Sequence, residues 1–115
     1  MSLTSILKGL FSSGPDLTVC FSELNTALAE GRVHVVDVRE PHEFATGSVP
    51  GAINMPLSVF NSARLPAGKP VVVLICQAGM RSGRALSQAV KAGRGDVRHY
   101  AGGMAGWRRE GGKIA

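Results

Sequence analysis

Cys76 is the residue of this sequence whose surroundings best suit a nucleophile. It directly follows the apolar run 71–75, and the loop after it contains Gly79, Arg81 and Ser82. When such a loop leads into a helix, its backbone N–H groups and the positive end of the helix dipole form a cradle for anions. A thiol in this cradle has a lowered pKa and is largely thiolate near neutral pH, and Arg81 adds positive charge. The pattern therefore predicts a nucleophilic thiolate with a binding site for an anion beside it.

The loop around Cys76 lies among segments whose apolar residues are spaced alternately as in strands and as in helices. Short apolar or β-branched runs predict strands, whereas apolar residues three and four positions apart predict amphipathic helices. On these patterns we expect strands over 33–38, 71–75 and 97–100, and helices over 22–31 and 85–93. Strands that alternate with helices favour an α/β domain with a mainly parallel sheet flanked by helices. In such sheets ligands bind beyond the carboxyl ends of the strands, and Cys76 falls at one of these ends.

The length of the chain and its breaker residues bound the domain organisation. A chain of 115 residues is long enough for one compact domain and too short for two ordinary ones. A Ser-Ser-Gly-Pro cluster at 12–15 marks a boundary, so we expect an N-terminal segment over 1–15 and a folded domain over 16–115. The N-terminal segment carries one helical apolar stripe and is expected to be either helical or partly disordered. We expect no transmembrane segment, because no apolar stretch is long enough to span a bilayer.

Composition and charge narrow the class of partner. With 44% hydrophobic and 18% charged residues, the chain has a globular composition. Its formal net charge of +5 favours an anionic partner. The aromatic residues are only one Trp, one Tyr and four Phe, and no basic run is longer than the pair Arg108 and Arg109. Nucleic acid is therefore not the expected partner, and a small anion fits these features better.

The two cysteines, Cys20 and Cys76, show neither C-x-x-C spacing nor a disulfide framework. None of the three histidines lies at a spacing from either cysteine that is typical of metal ligands. We therefore expect reduced thiols, a cytoplasmic location, no metal and no cofactor. Cys20 has no glycine–arginine loop after it and is expected to be a small buried hydrophobic residue.

Four segments of the chain resemble motifs of the rhodaneses, in the order in which that family has them. Residues 76–82, Cys-Gln-Ala-Gly-Met-Arg-Ser, resemble its active-site loop, Cys-x-x-Gly-x-Arg followed by Ser or Ala. Residues 37–44 and 47–56 are similar to its Asp-x-Arg and Gly-His-Ile-Pro-Gly-Ala segments, and 100–107 to its Gly-Gly…Trp ending. The resemblance spans the chain from the first predicted strand to Trp107 and implies a rhodanese-like fold.

The resemblance also implies a single-domain sulfurtransferase in which Cys76 is the catalytic residue. Its thiolate would take sulfane sulfur from an anionic, thiosulfate-like donor as a persulfide and pass it to a thiophilic acceptor, either cyanide or a thiol. An acceptor protein is a further partner that the resemblance leaves open. The loop N–H groups would hold the persulfide and Arg81 would orient the donor, so the substrate-binding residues we expect are Gln77, Ala78, Gly79, Met80, Arg81 and Ser82. Gln77 stands where the family often has Arg, which predicts weaker affinity for a doubly charged donor.

Four charged or titratable residues outside the loop receive non-catalytic roles. Asp37 and Arg39 are expected to give structural support, because an Asp that ends a buried strand braces neighbouring loops through hydrogen bonds. His42 and Glu43 are expected on a solvated helix face rather than as an acid–base pair. No general base is required if the Cys76 thiol is already ionised.

Two other functions remain open for such a loop. A cysteine-dependent phosphatase or arsenate reductase of the same kind of fold would also use a thiolate in an anion loop. Those enzymes place five residues between Cys and Arg, whereas four, 77–80, separate Cys76 from Arg81. The shorter loop favours a single sulfur atom over a tetrahedral oxyanion. The second alternative is a non-catalytic regulatory module, which the fold alone does not exclude.

Overall fold

The computed structural model describes residues 17–115. The predicted segment 1–15 lies outside the described residues. Residues 17–115 form four strands and four α-helices, with two short 3₁₀ turns at Leu57–Val59 and Ser62–Arg64. In chain order these elements are α1 Phe21–Ala29, β1 Val33–Asp37, α2 Pro41–Phe44, β2 Ile53–Asn54, β3 Val71–Ile75, α3 Met80–Lys91, β4 Arg98–His99 and α4 Gly103–Arg109.

The four strands form one parallel sheet in the order β2-β1-β3-β4. β1 and β3 pair over their whole length, from Val33 opposite Val71 to Asp37 opposite Ile75. Central parallel strands are covered on both faces, which is why both read as continuous apolar runs in the sequence. The order confirms the predicted α/β class with a parallel sheet, and Cys76 follows the carboxyl end of β3.

Helices cover both faces of the sheet. Successive side chains of a strand point to opposite faces. Val72 and Leu74 therefore lie in the core cluster that α3 covers, together with Cys76. Val73 and Ile75 lie in the cluster that α1 and α4 cover. The central strand thus contributes to both cores, and the loop that follows it is anchored on two sides.

The short elements were not predicted, and their sequences explain why. α2 is only four residues long and depends on Pro41 in its first turn and on a capping box between Glu40 and Glu43. α4 begins at Gly103, a residue type with low helix propensity. The strand predicted at 97–100 is present but shorter, as the two residues of β4. The helix predicted at 85–93 begins earlier, at Met80.

The prediction for Cys20 is wrong. The residue is exposed and precedes the first turn of α1 as its N-cap. Its backbone N–H donates to a Glu23 carboxylate oxygen at 2.8 Å. The backbone N–H groups at a helix N-terminus need polar partners or water, so an N-cap residue often lies at the surface. The position of Cys20 at the helix end therefore outweighed the apolar character of its side chain. Within residues 17–115 no helix is both long and apolar enough to cross a membrane.

Candidate active site

The Cys76 thiol lies at the centre of a hydrogen-bonded loop. The residue is 1% exposed, and the backbone N–H of Gly79 donates to its Sγ atom at 3.0 Å. Burial raises the pKa of the thiol, but hydrogen bonds from the Ser82 side chain and from the backbone N–H groups of Ser82, Gly79 and Ala78 lower it. The net effect is a pKa of Cys76 below its ordinary value. The loop therefore favours a thiolate, as the sequence predicts.

Gly79 gives the loop its path. Its φ of +100° lies in the left-handed region, which disfavours residues with a Cβ atom. A Cβ atom here would also overlap the carbonyl oxygen of Ala101. This close approach lets the chain turn back at once into α3, so that the Gly79 N–H points at Cys76.

The N-terminus of α4 holds the other side of the loop. The backbone N–H of Met104 donates to the Cys76 carbonyl at 2.8 Å, and that of Ala105 donates to the Gln77 carbonyl at 3.1 Å. Gly103, with a φ of +63°, permits this contact, because a Cβ atom there would overlap the Gln77 carbonyl. The Gly-Gly motif at 102–103 is thus part of the construction of the site.

Arg81 forms a bidentate ion pair with Glu43 on α2. Its Nη1 and Nη2 atoms donate to the two Glu43 carboxylate oxygens at 2.6 and 2.9 Å. The Arg81 hydrogen bonds lower the pKa of Glu43 to about 2, against an opposing effect of burial, and the same pair raises the pKa of Arg81. Glu43 lies on the face of α2 as expected, with 27% of its side chain exposed, and its carboxylate also balances the charge of Arg81, which the sequence did not predict.

Asp37 and Arg39 form a buried ion pair beneath α2. Both are almost fully buried, and Arg39 donates to Asp37 through Nε and Nη2, the latter at 2.8 Å. The Arg39 guanidinium also donates to the carbonyls of Glu43 at 3.2 Å and Gly47 at 2.8 Å. The pair thereby connects the end of β1 to the segment that carries Glu43, which supports the structural role expected for both residues.

Ser82 joins Cys76 to a residue that the sequence did not indicate. Its buried hydroxyl oxygen lies 3.6 Å from Cys76 Sγ, 2.9 Å from Nδ1 of His99 and 3.2 Å from the Gly79 carbonyl oxygen. His99 lies on β4 and is 8% exposed. It is 17 residues from Ser82 in sequence and belongs to no motif, so only the strand order could have placed it beside the loop.

The remaining loop residues form the outer edge of the site. Gln77 and Ala78 are exposed, and Met80 has 72% of its surface exposed. Their side chains face solvent, while their backbones form the turn around the thiol. Among residues 17–115 no three His, Cys, Asp or Glu side chains cluster closely enough to hold a metal ion.

The fold and the loop together define a class: a parallel α/β domain with a hydrogen-bonded cysteine between a strand and a helix N-terminus. The family model of the rhodanese-like domain matches residues 21–110, and the chain belongs to this family. The predicted family and fold are therefore confirmed.

Individual relatives agree with this assignment. The chain is 36% identical over 105 residues to human thiosulfate:glutathione sulfurtransferase. The alignment covers 78% of this chain and 91% of that protein. It is also 36% identical over 101 residues to the uncharacterized protein slr1261 of Synechocystis, covering 87% of this chain and 56% of the relative's length. The crystal structure of a rhodanese-related protein from Thermoplasma volcanium superposes with a TM-score of 0.75 at 27% identity, covering 85% of this chain and 96% of that one.

Proposed function

We propose that this protein is a sulfurtransferase in which Cys76 carries sulfane sulfur as a persulfide. The observation that carries the proposal is the hydrogen bond from the Gly79 N–H to the Cys76 Sγ atom, within a loop that begins a helix. A thiolate in this position is a nucleophile, and an extra sulfur on it would meet the same N–H donors. Membership of a family with sulfurtransferase relatives supports the same reaction.

The reaction proceeds in two displacements. The Cys76 thiolate attacks the outer sulfur of a thiosulfate-like donor, the sulfur–sulfur bond of the donor breaks, and sulfite leaves with the bonding electrons. A thiolate or cyanide acceptor then attacks the outer sulfur of the Cys76 persulfide, and the Cys76 thiolate is released with its electron pair. Each step exchanges one bond to sulfur for another, so no external oxidant, metal or cofactor is needed.

The loop recognises the donor mainly through its backbone. Arg81 is the one cation of segment 76–82, and its charge is balanced by Glu43. Gln77 adds no charge. The backbone N–H groups from Gln77 to Ser82, at the positive end of α3, then supply most of the attraction for the anionic donor, and Arg81 orients it. We therefore expect affinity for a doubly charged donor to be modest.

The exposed edge of the site supports an acceptor that reaches the persulfide from solvent. Gln77, Ala78 and Met80 leave the loop open to solvent, so a small thiol, cyanide or a cysteine on an acceptor protein could approach the persulfide. We propose a cytoplasmic location, because a reducing compartment keeps Cys76 free and supplies low-molecular-weight thiols as acceptors.

The intact mass of the protein after incubation with thiosulfate tests this function. Wild-type protein and Cys20→Ser should each gain the mass of one sulfur atom, and cyanide should remove it as thiocyanate. Cys76→Ser should gain none. Cys20→Ser is the matched control, because Cys20 is exposed and lies in no anion loop.

Other outcomes would contradict the proposal. Sulfur that maps to Cys20, or a wild-type transfer rate in Cys76→Ser, would remove Cys76 from the reaction. Hydrolysis of an aryl phosphate or reduction of arsenate, with no gain of sulfur, would favour the phosphatase or reductase alternative. No reaction with any of these substrates would favour a non-catalytic module.

A further inference from the structure

We propose that His99 accepts the proton of the Cys76 thiol through the hydroxyl group of Ser82. The three groups form a continuous chain, with 3.6 Å between Cys76 Sγ and Ser82 Oγ and 2.9 Å between Ser82 Oγ and His99 Nδ1. The first distance is ordinary for a hydrogen bond of the larger sulfur atom. All three residues are buried, so bulk water does not stand in for the hydroxyl as the bridge.

The hydrogen-bond capacity of Ser82 makes the chain directional. A hydroxyl has one proton to donate and two lone pairs with which to accept. When Nδ1 of His99 is unprotonated, the Ser82 hydroxyl donates to it and accepts from the Cys76 thiol. When Nδ1 carries a proton, His99 donates to Ser82, and the hydroxyl proton is free for the thiolate or for the Gly79 carbonyl. The direction of the hydrogen bond between Ser82 and His99 therefore shows whether Cys76 or His99 holds the proton.

The proton transfer balances without another reactant. The thiol proton moves from Cys76 Sγ to Ser82 Oγ as the hydroxyl proton moves to His99 Nδ1. The products are a thiolate that accepts a hydrogen bond from Ser82, and an imidazolium that donates one to Ser82. The opposite charges attract each other inside the domain, where water screens them less than at the surface. His99 does not touch the donor; it acts on Cys76 through Ser82, and its role is to set the protonation state of the nucleophile.

Ser82 is the loop residue whose side chain hydrogen-bonds to the His99 ring in the described part of the chain, 17–115. α3 places Ser82 and Gly83 against the imidazole ring. The segment 17–19 pairs with the backbone of His99 and contains no titratable side chain. Arg81 on α3 is occupied by Glu43, while Arg84 and Lys91 of that helix are exposed. Arg98 precedes His99 on β4 and donates through Nη1 to the carbonyls of Gly95 and Val97.

The pH dependence of Cys76 alkylation by iodoacetamide tests the relay. In a Cys20→Ser background, the rate should rise in two steps with pH, because the thiol and the imidazolium lose their protons in turn. His99→Asn keeps a hydrogen-bonding side chain but cannot accept the proton. It should give a single step with a higher midpoint, and the rate at mildly acidic pH should fall about tenfold for each pKa unit of that shift. His34→Asn is the matched control, since His34 pairs with Val72 near the opposite end of the sheet and should leave both steps unchanged.

A second measurement reads the other end of the chain. Because coupling between two titrating groups is reciprocal, Cys76→Ser should lower the NMR titration midpoint of the His99 ring and leave that of His34 unchanged. If His99→Asn fails to fold, Ser82→Ala breaks the chain at its centre and should give the same single-step profile. Two alkylation steps at the parent rate in the folded variant, or an unchanged His99 midpoint in Cys76→Ser, would overturn the relay.

The inference rests on the proposed role of Cys76 as the nucleophile, but its test needs no sulfur donor. A two-step profile that collapses in His99→Asn supports the relay even if thiosulfate adds no sulfur, and that result would contradict only the proposed function. Sulfur uptake together with a profile that His99→Asn leaves unchanged would support the function and overturn the relay.

Discussion

Replacement of Gly79 by alanine tests the proposed activation of Cys76 by its loop. Gly79 has a left-handed backbone, with a φ of +100°, and a Cβ atom there would overlap the Ala101 carbonyl. Its N–H group is also the donor that lies 3.0 Å from Cys76 Sγ. The added methyl group must therefore either strain the backbone or push the loop away from β4 and the thiol. Gly93 is a matched control, because its φ is +91° and a Cβ atom there would meet no other atom within 4 Å.

The two substitutions should differ in both stability and thiol chemistry. A left-handed alanine costs about 1–2 kcal/mol, which is the whole expected loss of unfolding free energy in Gly93→Ala. Overlap with packed backbone adds about 1–3 kcal/mol, so Gly79→Ala should lose about 2–5 kcal/mol. A hydrogen bond to a charged group contributes about 1.5–3 kcal/mol. Since one pKa unit corresponds to about 1.4 kcal/mol, loss of the Gly79 N–H should raise the pKa of Cys76 by about one to two units.

Urea unfolding and the pH midpoint of Cys76 alkylation measure these two effects. Both proteins should carry Cys20→Ser, so that only one thiol reacts. Gly93→Ala should lose stability without any change in the midpoint, whereas Gly79→Ala should show both changes. An equal loss of stability in the two variants, with the same midpoint, would refute the inference that the close packing of Gly79 places its N–H against the thiol.

Three further substitutions, with Arg84→Ala as a control, test the charged groups around the loop. Arg39→Ala leaves Asp37 buried without its cation and should lower the unfolding free energy by about 3–5 kcal/mol in urea titrations. Arg81→Ala should lower kcat/KM for thiosulfate by the equivalent of about 1.5–3 kcal/mol, and Arg84→Ala, which removes the same charge from an exposed position of α3, should lower it less. Glu43 has a pKa lowered from 4.5 to about 2, so its stabilisation is complete above pH 4.5 and disappears as the pH falls towards 2. Between neutral and acidic pH, the unfolding free energy of Glu43→Gln should therefore fall by about 1–2 kcal/mol less than that of the wild type, after allowance for solvent screening. An equally large fall in this variant would contradict the ion pair.

The parts of the fold that the sequence predicts are those built from long, local patterns. β3 was predicted with its observed bounds, and β1 to within one residue, because strands buried on both faces need uninterrupted apolar side chains. The position of Cys76 at the end of β3 followed directly. These features depend on residues that are neighbours in the chain.

The parts that escaped prediction depend on contacts between distant segments. Arg81 and Glu43 are 38 residues apart, and nothing in their spacing shows that α2 lies beside α3. Ser82 meets His99 because β4 lies next to β3 in the sheet, which is a property of strand order. A single sequence records the residue types at both ends of such a contact but not the contact itself.

The conformation of the loop at 76–82 therefore depends both on its own residues and on the turn after β4. Gly79 must pass close to the Ala101 carbonyl, and Gly103 must pass equally close to the Gln77 carbonyl. Each of the two segments therefore leaves no room for a Cβ atom at the glycine of the other. The Met104 N–H then holds the Cys76 carbonyl at 2.8 Å. The same turn directly follows His99, so the groups that fix the position of the thiol are rigidly connected to the group that we propose takes its proton. A change that moved this turn would disturb the shape of the anion loop and the protonation of Cys76 together, because the turn after β4 packs directly against the loop after β3.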